Sequence, residues 1–302
     1  MARAVPDSRF QQLTEHVDWF TPDDRTDRPA LGAVHGRDAT LLVEGGASAA
    51  HLSAFLAELA TRERPPVTAI ALTHWHWDHS FGSAAAGAPV LAHRDTAAEL
   101  AVQAGYDWSD EALDARVRDG REIPFCAEMI RLELPDRSGL RIVVPDQIVD
   151  AERRVDLGGA AAVLAHVGGD HSADSCVVHV PGDDVLFLGD CLYQRLHAPE
   201  PLLTVAGVRA LLDALERFPV AAAVEGHGDE VLDATAYAAR LNELRQAPTL
   251  STRAARRRWT MPPTTRSFAS SWSSCWSARE PASDADTVRA MRPTTGRRST
   301  RG

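Results

Sequence analysis

Short apolar runs separated by polar turns recur along this chain from about residue 30 to residue 245. Residues 31–35 and 40–44 predict a hairpin that turns at Gly36, and residues 67–72 predict a buried strand rich in β-branched and aliphatic side chains. Another short strand is predicted at residues 89–92. Five more, expected in a second sheet, are predicted at residues 141–144, 154–157, 161–166, 175–180 and 185–188. Alternating strands and helices predict an α/β fold.

Amphipathic segments lie between these strands. Ser48 is placed to cap a helix whose apolar face is formed by Leu52, Phe55, Leu56 and Leu59. Thr204 is placed to cap another helix, with the apolar face Val208, Leu211, Leu212 and Leu215. Residues 93–131 are mostly helical in pattern, with breaks at glycines and a proline. A last helix is predicted at residues 232–244, so the predicted elements cover most of the chain up to residue 246.

Four potential metal ligands occur within six residues, directly after the strand predicted at 67–72: His74, His76, Asp78 and His79. Side chains two residues apart on an extended backbone point the same way, so His74 and His76 can converge on one metal. Asp78 and His79 follow where the chain turns and can face a second metal. Because imidazole and carboxylate donors suit zinc, iron or manganese, the spacing predicts a metal site at the end of a strand.

Three further potential ligands stand at the ends of later apolar runs. His171 follows the run at 161–165, Asp190 ends the run at 185–190, and His227 ends the run at 220–228. Ligands on neighbouring strand ends converge at one edge of a sheet, where α/β proteins tend to place sites. Together with the H-x-H-x-D-H motif at 74–79, this order of ligands resembles the metallo-β-lactamase superfamily over about residues 30–230. Glu44 stands in a turn similar to the family's first strand-to-turn segment, where an aspartate is usual.

The resemblance implies a four-layer αββα sandwich, in which two mixed sheets pack together and helices lie outside. It also implies two metal ions, expected to be Zn²⁺, with iron or manganese as alternatives. The implied ligands are His74, His76 and His171 for one ion and Asp78, His79 and His227 for the other, with Asp190 as the bridge.

The chemistry implied by this resemblance is hydrolysis of a carbonyl substrate. Two metals hold a bridging water and lower its pKa enough to give hydroxide near neutral pH. The hydroxide attacks the carbonyl, and the metals stabilise the oxyanion. Asp78 would ligate a metal and orient the nucleophile. Tyr193 is placed like a tyrosine near the metals in lactonases of this family, and it would either donate a proton or pack at a strand end. Asp78 and Tyr193 are the candidate catalytic residues.

Several reactions share this ligand set. A bridging Asp190 resembles glyoxalase II-type thioesterases and lactonases, so a thioester or lactone is the expected substrate. Cys191 keeps a β-lactamase-like activity open, because the cysteine-bearing β-lactamases place a cysteine ligand at this strand end. Phosphodiester hydrolysis is a further alternative, although the acidic body disfavours a polyanionic substrate. Persulfide dioxygenases also resemble this set, and they use a single iron at the positions of His74, His171 and Asp190.

Composition favours a cytoplasmic enzyme that acts on a small molecule. The chain has 302 residues, and its formal net charge of −10 disfavours a nucleic-acid or anionic-membrane partner. No apolar stretch approaches the length of a membrane span, and the N-terminus shows no apolar signal core. Four cysteines without C-x-x-C spacing favour a reducing compartment and argue against a thiolate zinc site. The oligomeric state is left open.

Residues 93–141 form a helical excursion between the second and third groups of ligands. Four of its apolar side chains would either form the wall of a substrate pocket or pack the excursion against the sandwich: Tyr106, Trp108, Phe125 and Met129.

The C-terminal segment differs in composition from the rest of the chain. From residue 249 it holds eleven arginines and three acidic residues, so it carries about +8 and the remainder about −18. Apolar periodicity is lost there, which is typical of a disordered segment. We therefore expect a metallo-β-lactamase-like domain at 1–246 and a basic, disordered tail at 247–302. The tail is idle, binds nucleic acid, or is the product of a shifted reading frame. Alternatively, four of its aromatic side chains dock onto the sandwich and close the pocket: Trp259, Phe268, Trp272 and Trp276.

Overall fold

The computed structural model describes residues 10–197 and 202–246. Their first sheet has seven strands, which lie side by side in chain order. These are β1 (Phe10–Gln12), β2 (Val17–Phe20), β3 (Leu31–His35), β4 (Thr40–Val43), β5 (Val67–Ala71), β6 (Val90–His93) and β7 (Gln147–Val149). The pairs from β1 to β4 are antiparallel, and those from β4 to β7 are parallel.

The second sheet has six strands. They are β8 (Glu152–Asp156), β9 (Ala161–His166), β10 (Cys176–Val180), β11 (Val185–Gly189), β12 (Ala222–Glu225) and β13 (Leu232–Asp233), again in chain order across the sheet. The pair β11 and β12 is parallel, and the other neighbours are antiparallel. Both sheets are therefore mixed.

Seven α-helices occur in the described residues. They are α1 (Ala49–Ala60), α2 (Trp77–Ser80), α3 (Arg94–Gln103), α4 (Asp110–Arg118), α5 (Pro124–Glu133), α6 (Val205–Leu215) and α7 (Ala234–Gln246). The Ser48 hydroxyl accepts a hydrogen bond from the His51 amide at the start of α1, and Thr204 accepts one from Gly207 at the start of α6. Each cap satisfies an amide that the first turn of a helix leaves free, so both predicted helix starts are confirmed.

Three apolar clusters hold the layers together. The cluster between the sheets joins side chains such as Leu41 and Val43 of the first sheet to Val178 and Phe187 of the second. The sheets approach closely there, because a Cβ at position 32, where Gly32 stands, would lie 2.5 Å from the Phe187 ring. A second cluster packs α1, α3, α4 and α5 on the outer face of the first sheet, and a third packs α6 and α7 on the second sheet. The order helix, sheet, sheet, helix confirms the predicted αββα sandwich.

The strand predicted at residues 141–144 is wrong. This segment has no regular structure, and the seventh strand of the first sheet is instead β7, a little further along. Ile142 is buried among the outer helices, which explains the apolar run without a strand. Pro145 lacks an amide hydrogen and so interrupts a ladder. The Asp146 carboxylate then accepts a hydrogen bond from the Val90 amide at 3.1 Å, which aligns the following residues with β6.

Strands β1 and β2 were not predicted from the sequence, although they form the outer edge of the first sheet. The basic segment at 247–302 lies outside the described residues, so its predicted disorder is not addressed by the structure. Among the helices that the structure describes, none is both long and apolar enough to span a membrane.

Candidate metal centre

The seven potential ligands lie on loops at one edge of the two sheets. His74 and His76 follow β5, and the short helix α2 carries Asp78 and His79. The other three lie in the loop between β9 and β10, directly after β11, and just after β12: His171, Asp190 and His227. All seven side chains are buried. The parallel pairing of β11 with β12 brings the last two loops side by side.

Three histidines form the first group of donors. His76 Nδ1 lies 3.0 Å from His74 Nε2 and 2.9 Å from His171 Nε2. Burial lowers the pKa of all three imidazoles below the ordinary value, so they are neutral near pH 7. Neutral imidazoles that turn ring nitrogens toward one point present lone pairs suited to a metal ion.

Two carboxylates and two histidines form the second group. Asp78 Oδ2 lies 3.0 Å from His79 Nε2 and 3.1 Å from His227 Nε2. Asp190 Oδ2 lies 3.4 and 3.5 Å from the same two nitrogens, and also 3.4 Å from His171 Nε2 in the first group. The Asp190 carboxylate therefore stands between the groups. Within each group the donor atoms lie within 4.8 Å of one another.

The charges of the second group support one another. Burial disfavours ionised carboxylates, but the neighbouring imidazoles outweigh burial and hold the pKa values of Asp78 and Asp190 below their usual range. Burial likewise disfavours charged imidazoles, but the carboxylates raise the pKa of His79 and His227 well above the ordinary value. The group thus contains two carboxylates that stay ionised in the interior, and such charges are tolerated only opposite positive charge.

The rings are held from behind by hydrogen-bonding groups. His171 Nδ1 lies 3.0 Å from the Gln194 carbonyl oxygen, and His74 Nδ1 lies 3.0 Å from the Thr73 hydroxyl. His79 Nδ1 lies 3.1 Å from the carboxylate of Glu44. A proton on the outer nitrogen leaves the inner nitrogen unprotonated, so that its lone pair is available to a metal. This is the usual arrangement behind histidines that bind metal.

The residues present fit two transition-metal ions. Asp190 Oδ1 is buried and has no hydrogen-bond partner among the described residues, although it belongs to the second group of donors. Buried polar atoms without partners are costly, and a cation between the groups would satisfy them. The donors are nitrogen and oxygen only, which suits zinc, iron or manganese. The assignment of individual ligands to two ions stays a proposal.

Glu44 contributes to the site in a way that the sequence did not predict. Its backbone has φ of 71°, in the left-handed region that residues other than glycine rarely adopt. Its carboxylate accepts hydrogen bonds from the Thr73 amide (3.2 Å) and hydroxyl (2.5 Å) while it faces His79. Glu44 therefore joins the end of β4 to the ligands that follow β5. Its position in the strand-to-turn segment was the only signal in the sequence.

Asp27 is a second carboxylate that the sequence did not single out. It is buried, its φ is 57°, and its Oδ1 lies 3.7 Å from His227 Nδ1. Burial raises the pKa of Asp27 to about 8. Asp27 lies in a polar run with two other aspartates, Asp23 and Asp24. Nothing in that run indicated that one of the three lies next to the candidate metal ligand His227.

Tyr193 lies beside the centre rather than in its cavity. Its ring centroid is 6.2 Å from that of His171 and 6.4 Å from that of His227, and its hydroxyl accepts a hydrogen bond from the His227 amide at 3.4 Å. Burial raises the pKa of the phenol well above its ordinary value. This geometry favours the alternative in which Tyr193 packs at a strand end and positions a neighbour. Its catalytic role stays a prediction.

A cavity of about 110 Å³ opens beside the donors. Its wall combines His76, Asp78, His171, Asp190 and His227 with side chains of the helical excursion, including Tyr106, Trp108 and Phe125. Met129 does not line the cavity and packs in the outer core. Trp108 and Phe125 belong to that core as well, so these two side chains both line the cavity and pack the excursion against the sandwich.

A third group of potential donors also lines the cavity, beside His76, whose ring centroid lies 5.5 Å from that of His197. It consists of Glu122, Cys126 and His197, whose ligand atoms lie within 4.8 Å of one another. Burial raises the pKa of the Cys126 thiol well above its usual value, so this sulfur is a thiol rather than a thiolate. Burial also raises the pKa of Glu122 to about 7, so this group holds less negative charge near neutral pH than the second group does.

Comparisons with known proteins agree with this architecture. A family model described as the metallo-beta-lactamase superfamily matches residues 32–284. A metallo-beta-lactamase from Pontibacter korlensis is a similar solved structure, with a TM-score of 0.54 and 20% identity over 79% of this chain and 99% of its own. The DIM-1 metallo-beta-lactamase also has a TM-score of 0.54, with 15% identity over 80% of this chain and 99% of its own. A search of curated proteins found no match.

Proposed function

The chain belongs to the metallo-β-lactamase superfamily, whose members are mostly metal-dependent hydrolases, and from this premise we propose a binuclear hydrolase of carbonyl substrates. The proposed substrate is a thioester or a lactone. The proposal includes two Zn²⁺ ions, a small-molecule substrate and a reducing, cytoplasmic location. The location is supported by three free, buried cysteines, Cys126, Cys176 and Cys191.

One observation carries this proposal: two groups of buried donors meet at a shared carboxylate. Asp190 Oδ2 lies within 3.5 Å of nitrogens from both groups, namely His171 Nε2 and His79 Nε2. Sites with two metals bridged by one carboxylate serve hydrolysis, because such ions polarise the substrate and lower the pKa of a water molecule. A donor set of nitrogen and carboxylate oxygen is compatible with Zn²⁺, the metal that we propose.

Asp78 is the residue that we assign to orienting the nucleophile. It lines the cavity, and its Oδ2 is held between His79 Nε2 and His227 Nε2. Its depressed pKa keeps it ionised near neutral pH, so Oδ2 is able to accept a hydrogen bond from the attacking water and to orient it. The aromatic side chains of Tyr106, Trp108 and Phe125 line the same cavity.

The experiment that tests the function is a panel of substrates against the metal-loaded enzyme. Thioesters, lactones, β-lactams and phosphodiesters are compared by kcat/KM, and thioesters or lactones should be hydrolysed at least tenfold better than the other classes. Turnover confined to β-lactams or phosphodiesters would overturn the proposed substrate class. Cys191 does not belong to either group of donors, which supports a site without a thiolate.

Asp78 offers a test of the mechanism. Asp78→Asn should lower kcat by about 10²–10⁴-fold, while the melting temperature changes little, because the carboxylate faces donors rather than the apolar core. Asp114→Asn is the matched control, since Asp114 is exposed on α4 and only pairs with Arg131. Near-wild-type turnover of the Asp78 variant would contradict the assignment.

A mono-iron dioxygenase is the second candidate. His74 and His171 belong to one donor group, and the Asp190 carboxylate lies 3.4 Å from His171 Nε2, so two histidines and one carboxylate are close together. Such a set is typical of non-haem iron oxygenases. Oxygen uptake with a persulfide, measured on the iron-loaded protein, distinguishes this candidate from the hydrolase, which consumes no oxygen.

A further inference from the structure

Arg116 is a buried cation that the proposed hydrolytic site does not use. It lies on α4 with 5% of its surface exposed, and its guanidinium lines the same cavity as the donors. Nη1 donates a hydrogen bond to the Asp107 carbonyl oxygen at 2.8 Å. Nε and Nη2 are buried without a hydrogen-bond partner in the part of the chain that the structure describes. Two unpaired donors on a buried cation are costly, so a bound group that accepts from both would be favoured.

Aromatic side chains fix the direction of this guanidinium. Its Cζ lies 4.8 Å from the centroid of the Tyr106 ring and 4.6 Å from that of Trp108. Trp108 is itself packed edge-on against Phe81 at 4.8 Å. Cation–π contacts of this kind stabilise the charge, and they supply no hydrogen-bond acceptor in the plane of Nε and Nη2. Arg116 is therefore held in place before any ligand arrives.

The free edge has the shape that a carboxylate requires. Nε and Nη2 lie on one side of the guanidinium and donate in parallel, which matches the two oxygens of a carboxylate. Arg64 in this protein shows the arrangement, because its Nε and Nη2 donate to the two oxygens of Asp18, each at 2.8 Å. Arg64 has a carboxylate partner on this edge, whereas no described carboxylate accepts a hydrogen bond from the same edge of Arg116, on which Glu122 acts only through its charge.

The other charges of the cavity favour a single negative charge on the ligand. Glu122 and Glu99 line the cavity together with Arg116 and Arg121. Arg121 is exposed and pairs with Asp119, so it is partly neutralised. Among the described arginines that line the cavity, Arg116 is the one without a carboxylate at hydrogen-bond distance. A dianionic phosphate would carry one charge more than this guanidinium and would also meet the two glutamates, whereas a monoanionic carboxylate matches the guanidinium in charge and shape.

We propose that Arg116 binds a carboxylate group of the substrate, so that the enzyme acts on acyl compounds that carry a free carboxylate away from the reacting carbonyl. The binding part stands on Arg116 and its cavity, and the acyl part rests on the proposed hydrolase function. Arg116, Asp78 and Asp190 all line this one cavity. Arg116 is thus a specificity-determining residue.

Binding of a simple probe tests the carboxylate site without turnover. The metal-loaded protein is titrated with benzoate, benzamide and phenyl phosphate, and quenching of tryptophan fluorescence is followed, because Trp108 stacks on Arg116. Benzoate should bind at least tenfold more tightly than benzamide or phenyl phosphate. Arg116→Gln should remove this preference, and Arg118→Gln, an exposed arginine on the same helix, should retain it. Benzoate that binds to the metals instead would bind the Arg116 variant unchanged, which would overturn the proposal.

A matched pair of thioesters separates this inference from the proposed function. A glutaryl thioester ends in a carboxylate, and a pentanoyl thioester of the same length ends in a methyl group. The wild type should prefer the glutaryl compound at least tenfold in kcat/KM, and Arg116→Gln should lose that preference. No turnover of either thioester would count against the hydrolase and leave the benzoate result standing. Equal turnover of both would overturn the carboxylate site alone. Should Arg116→Gln fail to fold, Arg116→Lys is the variant to test, because lysine keeps the positive charge but lacks the two parallel N–H donors. This variant should bind benzoate at least fivefold more weakly, and unchanged binding would contradict the proposal.

Discussion

The carboxylates behind the histidines determine how firmly the donor nitrogens are held. Glu44 is the clearest case, because it faces His79 Nδ1 at 3.1 Å and is bound by Thr73 from the other side. Glu44→Gln keeps the size of the side chain and removes the charge. We expect zinc affinity at the second group to fall about 10–100-fold, with little change in the melting temperature.

A competitive chelator titration measures this change in affinity. Glu58→Gln serves as the control, since Glu58 is exposed on α1 and pairs with Arg62 at the surface. Unchanged zinc affinity in the Glu44 variant would show that the carboxylate does not support His79.

Glu122 makes the stability of the protein depend on pH. Burial raises the pKa of Glu122 from 4.5 to about 7, so the folded state binds its proton more tightly than the unfolded state does. The contribution of Glu122 to the free energy of unfolding is therefore full below pH 4.5 and declines as pH rises to about 7, at a rate of up to about 1.4 kcal/mol per pH unit. Glu122→Gln should remove this decline.

Urea unfolding at pH 5 and pH 8 tests the effect. The stability of the wild type relative to Glu122→Gln should be lower at pH 8 than at pH 5, because only the wild type must bury a charge at the higher pH. A difference between the two proteins that is the same at both pH values would contradict a raised pKa.

Residues that stand at the ends of apolar runs were recognisable from the sequence. His74 and Asp190 are examples, since each follows a run that forms a strand. Asp27 and Arg116 were not recognisable, because their importance depends on which distant side chains the fold brings near them. Asp27 lies next to His227, which is 200 residues further along the chain, and no local sequence pattern predicts a contact over that separation.

The four-residue helix α2 is positioned by close contact between backbones. The Gly45 amide donates to the His79 carbonyl oxygen and the Gly82 amide to that of Gly46, each at 2.8 Å. A Cβ at position 82 would overlap the carbonyl oxygens of Ser48 and Gly45, and rotation of a side chain would not relieve this overlap. Gly82→Ala should therefore destabilise the protein by about 1–3 kcal/mol and weaken metal binding.

Urea midpoints and a zinc titration measure these two effects. Gly139→Ala is the matched control, because a Cβ there would meet no atom within 4 Å. Equal midpoints for the two variants would mean that α2 is not fixed by this contact.

Elements with a clear boundary signal were predicted well. Helices α1 and α6 begin at the predicted capping residues, and β3 pairs with β4 in the predicted hairpin, which turns at Gly36. The apolar run at 141–144 was wrongly predicted to be a strand, because an apolar segment that packs under helices has the same composition as a buried strand. Only the pairing of β7 with β6 distinguishes the two, and that pairing involves residues more than 50 positions apart.

The described fold contains both sheets and all seven candidate ligands within residues 10–246. A chain that ends at Gln246 should therefore keep its metal content and its activity, and its melting temperature should change by less than a few degrees. The family model matches to residue 284, so a chain that ends at residue 284 is the matched comparison. A loss of several degrees or of activity in the shorter chain alone would show that residues 247–284 belong to the folded domain.

The binuclear site is the central claim, and the metal content of the purified protein tests it most directly. Elemental analysis should find two transition-metal ions per chain, chiefly zinc. His76→Ala should lose one ion from the group that contains His171, and His227→Ala should lose one from the group that contains Asp78. His16→Ala, a histidine outside both groups, should keep both ions. One tightly held iron with no second metal would contradict the account.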